Sequence, residues 1–121
     1  MKYVILVYGN ARTREMWESM TDEQRLEGWR GHTAVRDGLT ASGELVISEA
    51  LADPSLTKRV STTMTTDGPF AEVKEHLAGF YLVECENIDR AIDHAGKLPE
   101  AAFGLVEVRP ILDVTQWAPE D

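Results

Sequence analysis

Positive charge is scarce in this chain. Its 12 Lys and Arg stand against 21 Asp and Glu, a formal net charge of −9. That argues against nucleic acid as the main partner, because phosphate binding depends on a positive face that would have to be built against the global field. Acidic membrane surfaces are disfavoured for the same reason. Cysteine is nearly absent: a single one, Cys85, cannot form an intramolecular disulfide, so nothing points to a secreted disulfide scaffold. Long apolar runs are missing too. The longest, Tyr3 to Tyr8, has six residues, far short of a membrane span and without the extent or cleavage site of a signal peptide. A cytoplasmic location is the expectation. No glycine-rich phosphate loop and no G-x-S-x-G is present, which leaves nucleotide and acyl-serine chemistry without support. His32, His76, His94 and Cys85 fall into no C-x-x-C, H-x-H or H-x-x-x-H spacing, so neither a metal nor a cofactor is expected.

What is present is 121 residues with 43% hydrophobic side chains in periodic blocks, the size and pattern of one globular domain spanning 1–121. The stretch Tyr3 to Tyr8 is rich in β-branched and aromatic residues and closes on a Gly9-Asn10 turn signal, so it reads as a strand. It is apolar on both alternating faces, which predicts that both are covered. Thr21-Asp22-Glu23-Gln24 has the form of a capping box and opens a long helix that Gly43 should stop. Within it Gly28, His32, Val35 and Leu39 share one stripe. Gly28 and Gly31 each cost about 1 kcal/mol of helix propensity, for which a close approach to the helix is a plausible compensation.

Glu44 to Leu51 and the Thr-rich Thr57 to Thr66 are the next strand candidates, separated by an Asp53-Pro54-Ser55 turn. Asp67-Gly68-Pro69 breaks regular structure, a charged connection follows to His76, and Gly79 to Cys85 is a strand. Asn87 caps a second helix in which Ile88, Ala91, Ile92 and Ala95 form the apolar face, with Pro99 ending it. Gly104 to Arg109 is the last strand. Four of these five strand candidates with the two helices give the order β-α-β-β-α-β, that of a ferredoxin-like α+β fold, an antiparallel sheet with both helices on one face. The other face would be bare, and a second copy is its simplest cover.

Two groups of residues could carry chemistry. His32 sits on the apolar stripe of the long helix, where an imidazole could serve as general base or acid; from the helix pattern alone it is more often a satisfied core histidine. The run Asp67 to Glu75 gathers ionisable side chains around a turn fixed by Gly68 and Pro69. It could rim a pocket, although turn chemistry and a solvated ion pair account for it equally simply. Cys85 reads as a small packed residue, and Trp17, Trp29 and Trp117 as core or interface bulk.

The string Asp67-Gly68-Pro69-Phe70-Ala71-Glu72-Val73-Lys74-Glu75, followed by Gly79-Phe80-Tyr81-Leu82, is similar to the signature of the YCII-related proteins of the D-G-P-F type. Met1-Lys2-Tyr3 and Val106-Glu107-Val108-Arg109-Pro110 resemble that family's ends. The resemblance implies a homodimeric α+β barrel of ferredoxin-like protomers and a cavity for a small-molecule ligand. It also implies a role for His32, since the family's long helix carries a histidine followed by apolar residues at the spacing of Val35 and Leu39. In the wider YCII group a His–Asp pair acts as a catalytic dyad, and one branch is a dehydrochlorinase. The family's Asp belongs to an Asp-Pro-aromatic tripeptide, where this chain reads Leu98-Pro99-Glu100. Asp67 is taken as the replacement partner of His32, with Tyr8, Glu72, Lys74, Glu75 and Arg109 as candidate ligand contacts. Two functions are thereby expected: acid–base catalysis on a small cyclic or carbonyl compound, or a non-catalytic ligand-binding module associated with sigma-factor systems.

Overall fold

The computed structural model describes residues 1–70 and 74–117. In chain order the elements are β1 (Lys2–Asn10), α1 (Ala11–Ser19), α2 (Asp22–Ser42), β2 (Leu45–Ala50), β3 (Lys58–Val60), β4 (Thr65–Asp67), β5 (Glu75–Glu84), α3 (Ile88–Ala95), β6 (Val106–Pro110) and α4 (Val114–Trp117), with 3-10 turns at Pro54–Leu56 and Pro99–Phe103. The main sheet is antiparallel throughout, in the order β2-β5-β1-β6. Once α1 and the β3–β4 ribbon are set aside, this is the ferredoxin-like order expected from the sequence.

Three local readings change. Thr57 to Thr66 is two short strands rather than one: Ser61 N–H bonds the Met64 carbonyl at 2.8 Å and folds the Thr-rich segment back on itself. Gly9-Asn10 starts a helix instead of a turn, because the Asn10 side chain accepts from Thr13 N–H and Thr13 Oγ1 accepts from Asn10 N–H, both at 2.9 Å. Pro99 opens a 3-10 turn, after α3 has already ended at Ala95.

Strand alternation sorts the sheet into two unlike faces. Tyr3, Ile5 and Val7 of β1, Tyr81 and Val83 of β5, and Cys85 just after it are buried against Val35 and Leu39 of α2 and Ala91 and Ala95 of α3. Val4, Leu6, Phe80 and Leu82 are only half-buried on the opposite face. The doubly apolar strands thus have one face covered within the chain. Among the described residues, no helix is long and apolar enough to cross a membrane.

One carboxylate ties the β2 end of the sheet to α3. Glu44 accepts from Arg90 Nη2 at 2.9 Å, from His94 Nε2 at 3.0 Å and from Ser42 Oγ at 2.7 Å. These bonds, that from Arg90 foremost, hold its carboxyl well below the usual carboxylate range. Cys85 is beside it, and burial first, then the bond to Glu44, pushes the thiol up to about 11. A thiol held protonated in this way is packing material, not a nucleophile.

Candidate functional site

The site begins with α2. Thr21 Oγ1 accepts from Gln24 N–H at 3.2 Å and Gln24 Oε1 accepts from Thr21 N–H at 2.9 Å, the reciprocal pair of a capping box. The rotation this start imposes puts Val35 and Leu39 into the core, and beside them runs a second stripe, Trp29, His32, Thr33 and Arg36, at i, i+3, i+4 and i+7. That stripe forms one wall of a cleft of about 380 Å³. The other walls come from β2 (Ser48), β5 (Tyr81) and the 3-10 turn (Glu100).

Both nitrogens of His32 are engaged. Nε2 stands 2.9 Å from Glu100 Oε2 and 2.8 Å from Oε1, and Nδ1 stands 2.8 Å from the Tyr81 hydroxyl. A carboxylate can only accept, so Nε2 carries the hydrogen and, in the neutral ring, Nδ1 accepts from Tyr81. Tyr81 Oη also lies 3.4 Å from the His32 carbonyl. When the imidazole is protonated, Nδ1 donates to the phenol oxygen and the hydroxyl has that carbonyl to turn to. The hydroxyl can therefore follow either protonation state of the ring. Glu100 Oε1 is closed off from solvent and, among the described residues, has no hydrogen-bond donor of its own, so its charge acts on His32 rather than on water. Burial, then the Glu100 charge, pushes the Tyr81 phenol up to about 12, with Arg36 pulling the other way.

Glu100 reaches His32 because Gly31 has no side chain. A Cβ at position 31 would lie 2.8 Å from Pro99 Cγ. Pro99 therefore seats directly on α2 and its successor projects onto the ring of His32. This is the close approach predicted from the helix glycines. No such neighbour lies within 4 Å of a Cβ at Gly28. Trp29 leans on His32 with centroids 6.1 Å apart, and Trp17 of α1 meets Trp29 edge-on at 6.1 Å.

The carboxylate partner of His32 is Glu100, not Asp67. Asp67 is exposed in the β3–β4 ribbon and paired with Lys58, so it stands away from the imidazole. Tyr8 and Arg109 lie on the sheet face opposite the cleft, where the Tyr8 phenol is pushed up by its hydrogen bond to Glu107. Lys74 is exposed just before β5, and Glu75 borders a different cleft, of about 740 Å³, between the ribbon and the start of β5. Glu72 lies outside the described residues. Among the described residues expected at the site, only His32 lines the smaller cleft. That cleft is the better candidate because its polar groups converge on one another, whereas the larger one is bordered by exposed apolar side chains such as Val60, Met64 and Phe70. Tyr81, Glu100, Trp29, Arg36 and Ser48 were not anticipated. The stripe periodicity of α2 holds a signal for Trp29 and Arg36, and Glu100 stands next to the proline of the tripeptide already singled out.

The family model of the YCII-related domain matches residues 1–115. The chain belongs to the YCII-related family. An uncharacterized protein of Rhizobium meliloti (strain 1021) is 34% identical over 117 residues, covering 92% of each chain. Among solved structures, the 5-chloro-2-hydroxyhydroquinone dehydrochlorinase of Burkholderia phenoliruptrix, in complex with 2,5-dihydroxybenzoquinone, is similar with a TM-score of 0.52 and 16% identity, covering 93% of this chain and 94% of that one. At that identity the likeness speaks for the fold. In this YCII-related chain the acid that meets His32 directly follows Pro99.

Proposed function

We propose that this YCII-related protein is a small-molecule-processing enzyme in which the His32–Glu100 pair is the general acid/base, acting on a small cyclic or carbonyl-containing compound in a lyase, isomerase or dehydrohalogenase type of reaction. The observation that carries the reading is the imidazole held on both nitrogens within a cleft, Nε2 by Glu100 and Nδ1 by Tyr81. In the proton-removal step a ligand C–H or O–H gives its proton to Tyr81 Oη while the Tyr81 hydroxyl proton passes to His32 Nδ1. The electron pair stays on the ligand as an enolate or alkoxide, and Glu100 stabilises the imidazolium. The return of the proton, or departure of a leaving group, completes the cycle. The fold relative acts on a chlorinated hydroxyhydroquinone and binds 2,5-dihydroxybenzoquinone, which supports a small ring as ligand.

The reading includes a homodimer closed over the half-exposed apolar sheet face, and a location in the cytoplasm. The chemistry is tested by following loss of ring C–H signals in deuterated water by NMR for a panel of cyclic diketones and hydroxyquinones. Wild type should accelerate exchange, and His32→Gln should lower the enhancement by about 10²–10⁴-fold. No acceleration across the panel, or equal rates in His32→Gln, would overturn the proposal.

A further inference from the structure

We infer that Arg36 makes this cleft selective for anionic ring compounds, with its guanidinium holding a carboxylate, enolate or phenolate oxygen of the ligand. The inference rests on the functional reading above and assigns its substrate class. Arg36 follows His32 by one turn on the same stripe of α2, about 6 Å further along the helix axis at 1.5 Å per residue, so a small ring can touch both. Among the described residues its side chain makes no hydrogen bond and no ion pair, unlike Arg14, Arg25, Arg30 and Arg90. Its field nonetheless reaches the Tyr81 hydroxyl at the acid–base end of the cleft.

The neighbouring charges leave this role open to Arg36. Glu100 is committed to His32. Glu49 borders the cleft, but it pairs with Phe80 while Ser48 pairs with Tyr81, so alternation turns the Glu49 side chain to the other face of the sheet. The protein as a whole carries −9 and repels anions at long range, so an anionic ligand needs a local cation to remain. A guanidinium also offers the forked donor geometry that matches two oxygens on one ring edge.

The test is the affinity of two probes of one ring size: 2,5-dihydroxybenzoquinone, which is deprotonated at neutral pH, and hydroquinone, which is neutral. Titration calorimetry on wild type should show preference for the quinone anion, weakening as salt is raised. Arg36→Gln should weaken the anion by about tenfold or more and leave hydroquinone unchanged, while Arg36→Lys should recover part of the loss. Arg36 is exposed, so both variants should fold; matching circular dichroism confirms it. Equal loss for both probes, or no loss for the anion, overturns the inference. If the Arg36 dependence is found but His32→Gln leaves proton exchange unchanged, it is the catalytic reading that fails and anion recognition that stands.

Discussion

Pro99 occupies the space where a side chain of Gly31 would be, with its Cγ 2.8 Å from the position a Cβ would take. The proline ring cannot swing aside as a flexible chain end can. Gly31→Ala should therefore lose the His32–Glu100 contact, and its overpacking cost of about 1–3 kcal/mol should outweigh the roughly 1 kcal/mol gained in helix propensity. Gly28→Ala, with nothing within 4 Å, should instead stabilise by about 0.5–1 kcal/mol. Chemical denaturation of both variants checks the opposite signs.

Tyr81→Phe removes the hydroxyl that faces His32 Nδ1. Proton exchange should fall, and stability should drop by about 1 kcal/mol through the bond left unmade. The wild-type phenol, ordinarily at 10.0, is raised to about 12, so its contribution to stability is complete below pH 10 and is lost as the pH climbs toward 12. Alkaline unfolding of Tyr81→Phe should lack that part of the pH dependence.

Glu44 titrates in the opposite sense. Its carboxyl is held below the ordinary 4.5, so the stability it confers is complete above that pH and is lost as the solution is acidified. Glu44→Gln should cost about 2 kcal/mol near neutrality, because it weakens the bonds to buried His94 and to Arg90 together. Wild type and variant should converge as the pH falls; curves that stay parallel would show that the carboxylate charge is not the cause.

The half-exposed face of Val4, Leu6, Phe80 and Leu82 predicts a homodimer, seen by light scattering at micromolar concentration as about twice the 13.5 kDa chain mass. Leu82→Glu should give monomers that retain the helical signal. A wild-type chain that stays monomeric and compact would contradict the pairing.

The helix α2, its cap at Thr21 and its stop at Gly43 were legible because each depends on local chemistry. So was the order of the main strands and helices along the chain, which follows from alternating helix and strand signals. Glu100 was not legible, because its role depends on Pro99 docking at Gly31, a contact between segments far apart in the chain. The resemblance implies an acid before the proline, whereas Glu100 follows it. Tyr8 and Arg109 were misplaced for a simpler reason: both are plausible ligand contacts by residue type, and counting strand parity from buried Ile5 and from Val108 sends them to the other face. In the Thr-rich segment, β propensity identified strand but could not show that Ser61 folds it in two.

The burial of Cys85 turns the lone thiol into a clock. Only 3% exposed and kept protonated by its surroundings, it meets a water-borne alkylating reagent when the core cluster around it opens. The rate of its modification in the folded protein then measures how often this end of the molecule opens, with no label added and no other sulfhydryl to confuse the count.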